Sequence, residues 1–385
     1  MNSLVAILKN RTYFSVAYVF TTLNILYGTW AIYIPYIKEQ LDLNKAELGI
    51  ALFAFALGIF SIMGFVPKII SLFGSGKTTK ISVLILPLLY MLPFVVGSLT
   101  ALFIALFAMG VVQGILDISM NNLVTIIEKK DQINLMSAMH GFFSLGGALS
   151  GLGTFAITSL NNPVLHISIA TLLSIGINFW LSKQYSSLSG EAESKEKIDW
   201  SYIKTILLLG LISFVIMGSE GAIADWSGLY LKDITLAPTV LFGAGFLGFS
   251  IAMTIGRFFG DGISQKIGSV RVLVLGALVA CIGYTLVLVN DLYISISGFG
   301  LIGLGFSVMV PELFRITGRT SKIDAAKALT IVAGFGYSGF LIGPVILGLT
   351  AEQFGLEYSF YGLLSSCIFV VILSSYLLIK TPKTV

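Results

Sequence analysis

Twelve long apolar stretches fill this chain of 385 residues, near positions 13–37, 46–68, 81–97, 101–127, 134–159, 163–183, 204–231, 238–263, 270–289, 292–314, 326–351 and 357–379. Most are long enough to cross a bilayer, because about 20 mostly apolar residues span roughly 30 Å of hydrocarbon. Lipid offers a backbone amide no hydrogen-bond partner, so such segments are confined to helices or to strands of closed barrels. The runs lack period-two alternation, which selects helices. The expected fold is an all-α integral membrane protein. Composition agrees: 56% of residues are hydrophobic and 11% charged, against about 45–50% and about 25% in soluble domains.

Basic residues set the expected orientation. With the N-terminus on the cytoplasmic side, nineteen of the 23 Lys and Arg residues fall on that side. Lys38, Lys45 and Lys232 fall outside, and Arg257 lies within a span. The expectation is a multi-pass protein of the cytoplasmic (inner) membrane with both termini cytoplasmic. The net charge of +4 is this bias seen in bulk and gives no reason to expect a nucleic-acid partner. No small-residue cleavage site follows Arg11, so the first span reads as retained. Cys281 and Cys367 fall mid-span in different helices and read as small apolar fillers.

One polar linker, 184–203, divides the chain into an N-terminal half, 1–183, and a C-terminal half, 204–385, of six spans each. The second half echoes the first. Gly141, Phe142 and Gly146 match Gly334, Phe335 and Gly339 at an offset of 193 residues, and Gly74-Ser75 matches Gly268-Ser269 at 194. The order of the spans is kept, so the repeats are parallel. Parallel six-helix repeats are a transporter architecture, with the working site near the midplane between them.

With this layout, this linker and the short loops 68–80 and 264–271, the whole chain resembles the major facilitator superfamily. In those loops Gly74, Lys77, Gly268 and Arg271 are kept, whereas Ser71 and Gln265 stand where that family usually has an acid. Gly114 to Asn121, Met139-His140-Gly141-Phe142, Glu220 to Trp226 and Gly256-Arg257-Phe258 are similar to a bacterial branch related to the fucose permeases. The resemblance implies two six-helix halves rocking about a central cavity.

An ionisable group in mid-membrane is costly unless it faces protein or water, so each is a functional candidate. Gln113, Asp117 and Asn121 fall at i, i+4 and i+8, one stripe of the fourth span. A water-filled cavity explains such a stripe better than helix–helix adhesion does. Glu220 and Asp225 lie in the seventh span, flanked by Gly218, Gly221 and Gly228, which would ease a local break. A low-dielectric cavity favours the neutral carboxyl, the property that proton exchange requires. Asp117, Glu220 and Asp225 are therefore the proton-coupling candidates. His140 joins them, with ordinary helix packing as its alternative.

Arg257 and Asp261, four residues apart, share their depth with Glu312 and Arg315. These four are an inner gate or a set of interfacial ion pairs. Asn24, Tyr27, Trp30, Gln113, Asn121, Trp226 and Tyr337 offer flat rings beside amides, a surface suited to a neutral sugar or polyol. Membrane-interface anchoring is the alternative for the Trp and Tyr residues. Gly74 to Thr78 imitates the end of a phosphate-binding loop but has Ser71 where that motif needs glycine. Two His and two Cys, far apart, suggest no metal, and no cofactor is expected. The expected protein is a monomeric, proton-coupled symporter of a small polar solute, with sugars first. Export of cationic amphiphiles is the alternative; a membrane-embedded enzyme or a sensor fits the repeat poorly.

Overall fold

The computed structural model describes residues 2–133, 135–155, 162–189, 203–320 and 325–380, and all regular structure among them is helical. In chain order the α-helices are α1 (Asn2–Lys9), α2 (Arg11–Gln40), α3 (Lys45–Met63), α4 (Val66–Phe73), α5 (Ser75–Leu89), α6 (Leu99–Asp131), α7 (Met136–Leu152) and α8 (Pro163–Leu181). After the linker come α9 (Ile203–Asp233), α10 (Ala244–Ile267), α11 (Ser269–Val287), α12 (Leu292–Phe306), α13 (Met309–Thr320), α14 (Ala325–Phe354) and α15 (Leu356–Lys380).

Among the described residues, 10 helical segments are long and apolar enough to cross a membrane, against the twelve expected. The other two expected spans are helical too. In α7 the described helix has 17 residues, which is short for a crossing. The 30 residues of α2 are long enough, but the helix carries buried Thr21, Thr22 and Asn24. Their partners explain why a polar helix can sit inside. Thr21 donates to the Phe142 carbonyl at 3.1 Å and Asn24 to the Phe143 carbonyl at 2.9 Å. Thr22 accepts from Asn178 at 2.8 Å. Protein covers most of α2, so it need not be uniformly apolar.

Without a hydrophobic force between helices in lipid, close backbone contact does much of the packing. Gly58 on α3 meets Gly110 on α6: a Cβ added at Gly110 would lie 3.1 Å from the Gly58 Cα and run into the Phe55 carbonyl. Gly146 on α7 likewise abuts the Thr21 backbone, and Gly339 on α14 abuts that of Phe214. These two contacts are 193 residues apart on both sides (146 to 339, 21 to 214). Gly74 and Gly268 make the turns into α5 and α11 with φ of 79° and 87°, a backbone that side chains disfavour.

The seventh span has no break. Helix α9 runs continuously from Ile203 to Asp233. Its glycines serve packing instead: a Cβ at Gly218 would meet the Gly339 carbonyl at 3.2 Å, and one at Gly221 the Phe340 ring at 2.5 Å. The interruption falls in the tenth span, expected as one helix over 292–314. There α12 stops at Phe306 and α13 starts at Met309. Pro311 explains it, because proline has no N–H to give the carbonyl four residues back, that of Ser307, and its ring crowds that carbonyl.

Gly110→Ala should therefore destabilise the protein by about 1–3 kcal/mol through overpacking. Gly176→Ala, in open space on α8, should be neutral or stabilising by roughly 0.5–1 kcal/mol. Unfolding midpoints in detergent check the pair.

Candidate functional site

Three links between partly or largely buried side chains tie helices that precede the linker to helices that follow it. In the first, Tyr337 on α14 donates to Asp117 Oδ2 on α6 at 2.6 Å. Asn121, one turn along α6, donates to the other oxygen of Asp117 at 3.2 Å and to its backbone carbonyl at 2.9 Å. In the second, Tyr27 on α2 donates to Asp225 Oδ1 on α9 at 3.0 Å, while its ring stacks on Phe55 at 5.8 Å. A hydroxyl donating to an ionised carboxylate is charge-assisted and roughly twice as strong as a neutral bond, and at 2.6 Å the Tyr337 bond is short.

The third link centres on Arg257 of α10, which is 8% exposed. Its Nε donates to the Ser307 carbonyl at 3.3 Å. Nη1 crosses to α7, reaching Ser144 Oγ at 2.6 Å and the His140 carbonyl at 3.2 Å. Nη2 faces Glu220 Oε2 of α9 at 3.9 Å, too far for a hydrogen bond. Glu220 Oε1 is buried with no hydrogen-bond partner among the described residues. The pair is thus unclosed on both sides, although both partners are largely buried. Two segments that stood out in the sequence meet here, with the Phe142 and Phe258 rings edge to face at 6.3 Å.

The remaining candidates lie apart from these links. Gln113 accepts from Tyr90 at 2.6 Å, so the expected stripe divides: its upper member binds within the N-terminal helices, and Asp117 and Asn121 form their own cluster. Asn24 is committed to the Phe143 carbonyl. Trp30 packs edge-on against Phe94. Trp226 is 1% exposed, which removes the interface-anchor alternative, and its Nε1 is buried without a hydrogen-bond partner among the described residues. The His140 ring packs edge-on against Phe20 at 5.4 Å, and only its carbonyl reaches Arg257. Arg315 holds Glu312 at 2.6 Å and Ser264 at 2.9 Å. Asp261 lies on α10, with its side chain outside the described residues.

Tyr90, Ser144 and Ser307 were not among the sequence candidates. A second omission is at the far end of the bundle, where Lys232 pairs with Glu39 and Lys45 with Asp233 at 3.6 Å. The Lys45 amide also donates to Glu352 at 2.9 Å. These bonds tie the ends of α2 and α3 to those of α9 and α14. The available signal was the placement of Glu39, Asp233 and Glu352 at the ends of apolar spans beside two of the three outside lysines.

Long apolar helices with largely buried carboxylates, paired across the chain's midpoint, define a multi-pass membrane protein. The sequence profile described as Major Facilitator Superfamily matches residues 13–248 and 209–385. The chain belongs to the Major Facilitator Superfamily and is a membrane transporter. It is 30% identical over 339 residues to an uncharacterized MFS-type transporter of Yersinia pestis, covering 86% of this chain and 87% of that one. It is 30% identical over 350 residues to the membrane protein MosC of Rhizobium meliloti, covering 90% and 86%. A bacterial homolog of the human lysosomal transporter Spinster, in an inward-facing and occupied conformation, superposes with a TM-score of 0.71 at 12% identity, covering 95% of each chain. That likeness shows the fold.

A double-mutant cycle on Tyr337→Phe and Asp117→Asn should give a coupling energy of about 1–3 kcal/mol, the range for a buried hydrogen bond to a charged group. Unfolding of the four proteins in mixed micelles measures it. Additive effects would mean that the bond contributes nothing to holding the helices together.

Proposed function

We propose that this protein is a proton-coupled secondary transporter of a small, neutral, hydroxylated solute such as a sugar or polyol. It works by alternating access between two six-helix halves, 1–183 and 204–385, joined by the linker 184–203. In this reading twelve helices cross the inner membrane, both termini are cytoplasmic and the monomer is the working unit. The paired contacts of Gly146 with Thr21 and of Gly339 with Phe214 support the parallel repeat.

The observation that carries the substrate reading is the unclosed Glu220–Arg257 pair. A hydroxyl is both donor and acceptor. One solute hydroxyl can donate to Glu220 Oε1 while accepting from Arg257 Nη2, which closes a pair that the protein alone leaves open. Amide and tyrosine hydroxyl groups of Asn121, Tyr337 and Tyr27 supply further partners of the kind that a polyol needs.

Protons enter through the carboxylates. Asp117 and Asp225 hold the halves together as acceptors from Tyr337 and Tyr27. Protonation converts a charge-assisted bond into a neutral one about half as strong and gives the carboxyl a proton that it must itself donate. Proton arrival therefore loosens the links between the halves. Glu220 responds in the same way toward Arg257. His140 is left as packing in this scheme, and the Glu312–Arg315 pair, with Asp261, forms the gate at the cytoplasmic end.

The test uses proteoliposomes loaded with a pH-sensitive dye and challenged with neutral sugars, polyols, amino acids and cationic amphiphiles. A neutral hydroxylated solute should drive proton movement in the native protein. Glu220→Gln should reduce that movement roughly tenfold or more, the effect of about 1.4 kcal/mol. Undiminished movement in Glu220→Gln would remove Glu220 from the coupling path. A response confined to cationic amphiphiles would replace the solute class and turn the reading to export.

A further inference from the structure

We propose that Pro311 is a positioning residue for Arg257: it leaves the Ser307 carbonyl as a fixed acceptor that aims the guanidinium at Glu220 and Ser144. In a continuous helix the carbonyl of residue 307 would bond to the amide of residue 311. Proline has no such amide, and the helix is interrupted at just this place, between Phe306 and Met309. Ser307 is only 1% exposed, so water does not take over the freed carbonyl. A buried carbonyl without a partner is unfavourable, and Arg257 Nε supplies the partner at 3.3 Å.

The neighbouring residue makes that reach possible. A Cβ at Gly256 would lie 2.5 Å from the Ser307 Cβ and strike its hydroxyl. Glycine therefore lets α10 approach the interruption closely enough for the bond to form. The Ser307 hydroxyl turns away to the Leu304 carbonyl at 2.6 Å, which leaves the Ser307 carbonyl to Arg257.

The geometry of the guanidinium does the rest. Its donors sit in a rigid planar fork, so fixing two of them fixes the third. With Nε on Ser307 and Nη1 on Ser144 and the His140 carbonyl, Nη2 can face only one way, toward Glu220. A proline that merely bent the tenth span would have no such connection to Arg257. The proposal depends on the transport reading only for its consequence, and its test reads the side chain directly, so the two can fail separately.

The experiment uses the full chain in lipid nanodiscs with nitrogen-15 arginine, the Arg257 Nε–H resonance being assigned by its loss in Arg257→Lys. In the native protein that proton should exchange slowly with solvent. Pro311→Ala gives Ser307 a backbone donor and should speed exchange on the order of tenfold, as expected when a protecting hydrogen bond opens more often. Pro311→Gly restores the same amide and should act in the same direction, which covers the case in which the alanine variant does not fold. Unfolding temperatures add a second reading. In an Arg257→Leu background the carbonyl has lost its donor, so Pro311→Ala should raise the unfolding temperature there by more than it does in the native protein. Unchanged exchange in both proline variants, or an equal temperature shift in both backgrounds, would overturn the proposal.

Discussion

Inside a bilayer, a backbone amide or carbonyl that is not bonded within the protein has nothing else to bond to. That constraint decides the all-helical architecture, and it decides where the architecture can relax. The tenth span is interrupted because Pro311 cannot complete the helix, and the interruption survives because Arg257 bonds to the Ser307 carbonyl. The polar residues of α2 follow the same logic. Thr21, Thr22 and Asn24 each have a partner on α7 or α8, so a helix with polar side chains near its middle can occupy the interior of the bundle.

Buried charge obeys a harsher version of the rule. An isolated carboxylate in hydrocarbon costs far more than an isolated amide, and here Asp117, Glu220 and Asp225 each lie beside a donor or a cation. In all three cases the partnership involves contact between helices on either side of the linker, directly for the aspartates and through Arg257 and Ser144 for Glu220. Charges at the far end of the bundle also pair across the linker, but Glu39 is substantially exposed there, at 61% of its side chain. Exposed pairs of that kind contribute little, about 0–1 kcal/mol. The buried links therefore hold the two sets of helices more firmly than the surface pairs do.

The sequence revealed much of this fold and less of the site, for a physical reason. Hydropathy reports whether a helix faces lipid, so it located the spans that do and misjudged only how uniformly apolar a central helix must be. Glycine patterning picked out Gly146 and Gly339, which pack in the same way, but misplaced the break, because glycine permits a break without requiring one. Proline removes a donor outright, and although Pro35, Pro87 and Pro344 sit within continuous helices, Pro311, four residues after Ser307, was the legible signal for the interruption. The acids were visible as costly residues, yet their partners were not. Asp117 and Tyr337 are 220 residues apart in sequence and 2.6 Å apart in space, and no local spacing encodes that. Trp226 is a further case: for an aromatic near a span's end, interface anchoring stays open as an alternative until its burial is seen.

The strength of the buried links bears on whether such a bundle can move at all. Two conformations exchange usefully only when they differ by a few kcal/mol, so that a ligand's preference can reverse their order. A fully closed buried ion pair works against this, because leaving one partner buried and unpaired costs about 3–5 kcal/mol, and three such pairs would lock one state. Acid–tyrosine bonds are weaker, since only one partner is charged and the tyrosine can be left neutral. The Glu220–Arg257 pair is weakened differently, by the 3.9 Å that separates its atoms. On the proposed reading, Arg257's other bonds hold the pair apart, and the pair keeps interaction energy for a solute hydroxyl that bridges the gap. If this pair meets the solute as proposed, the transporter gains from keeping it incomplete, because a pair already satisfied would have nothing to offer.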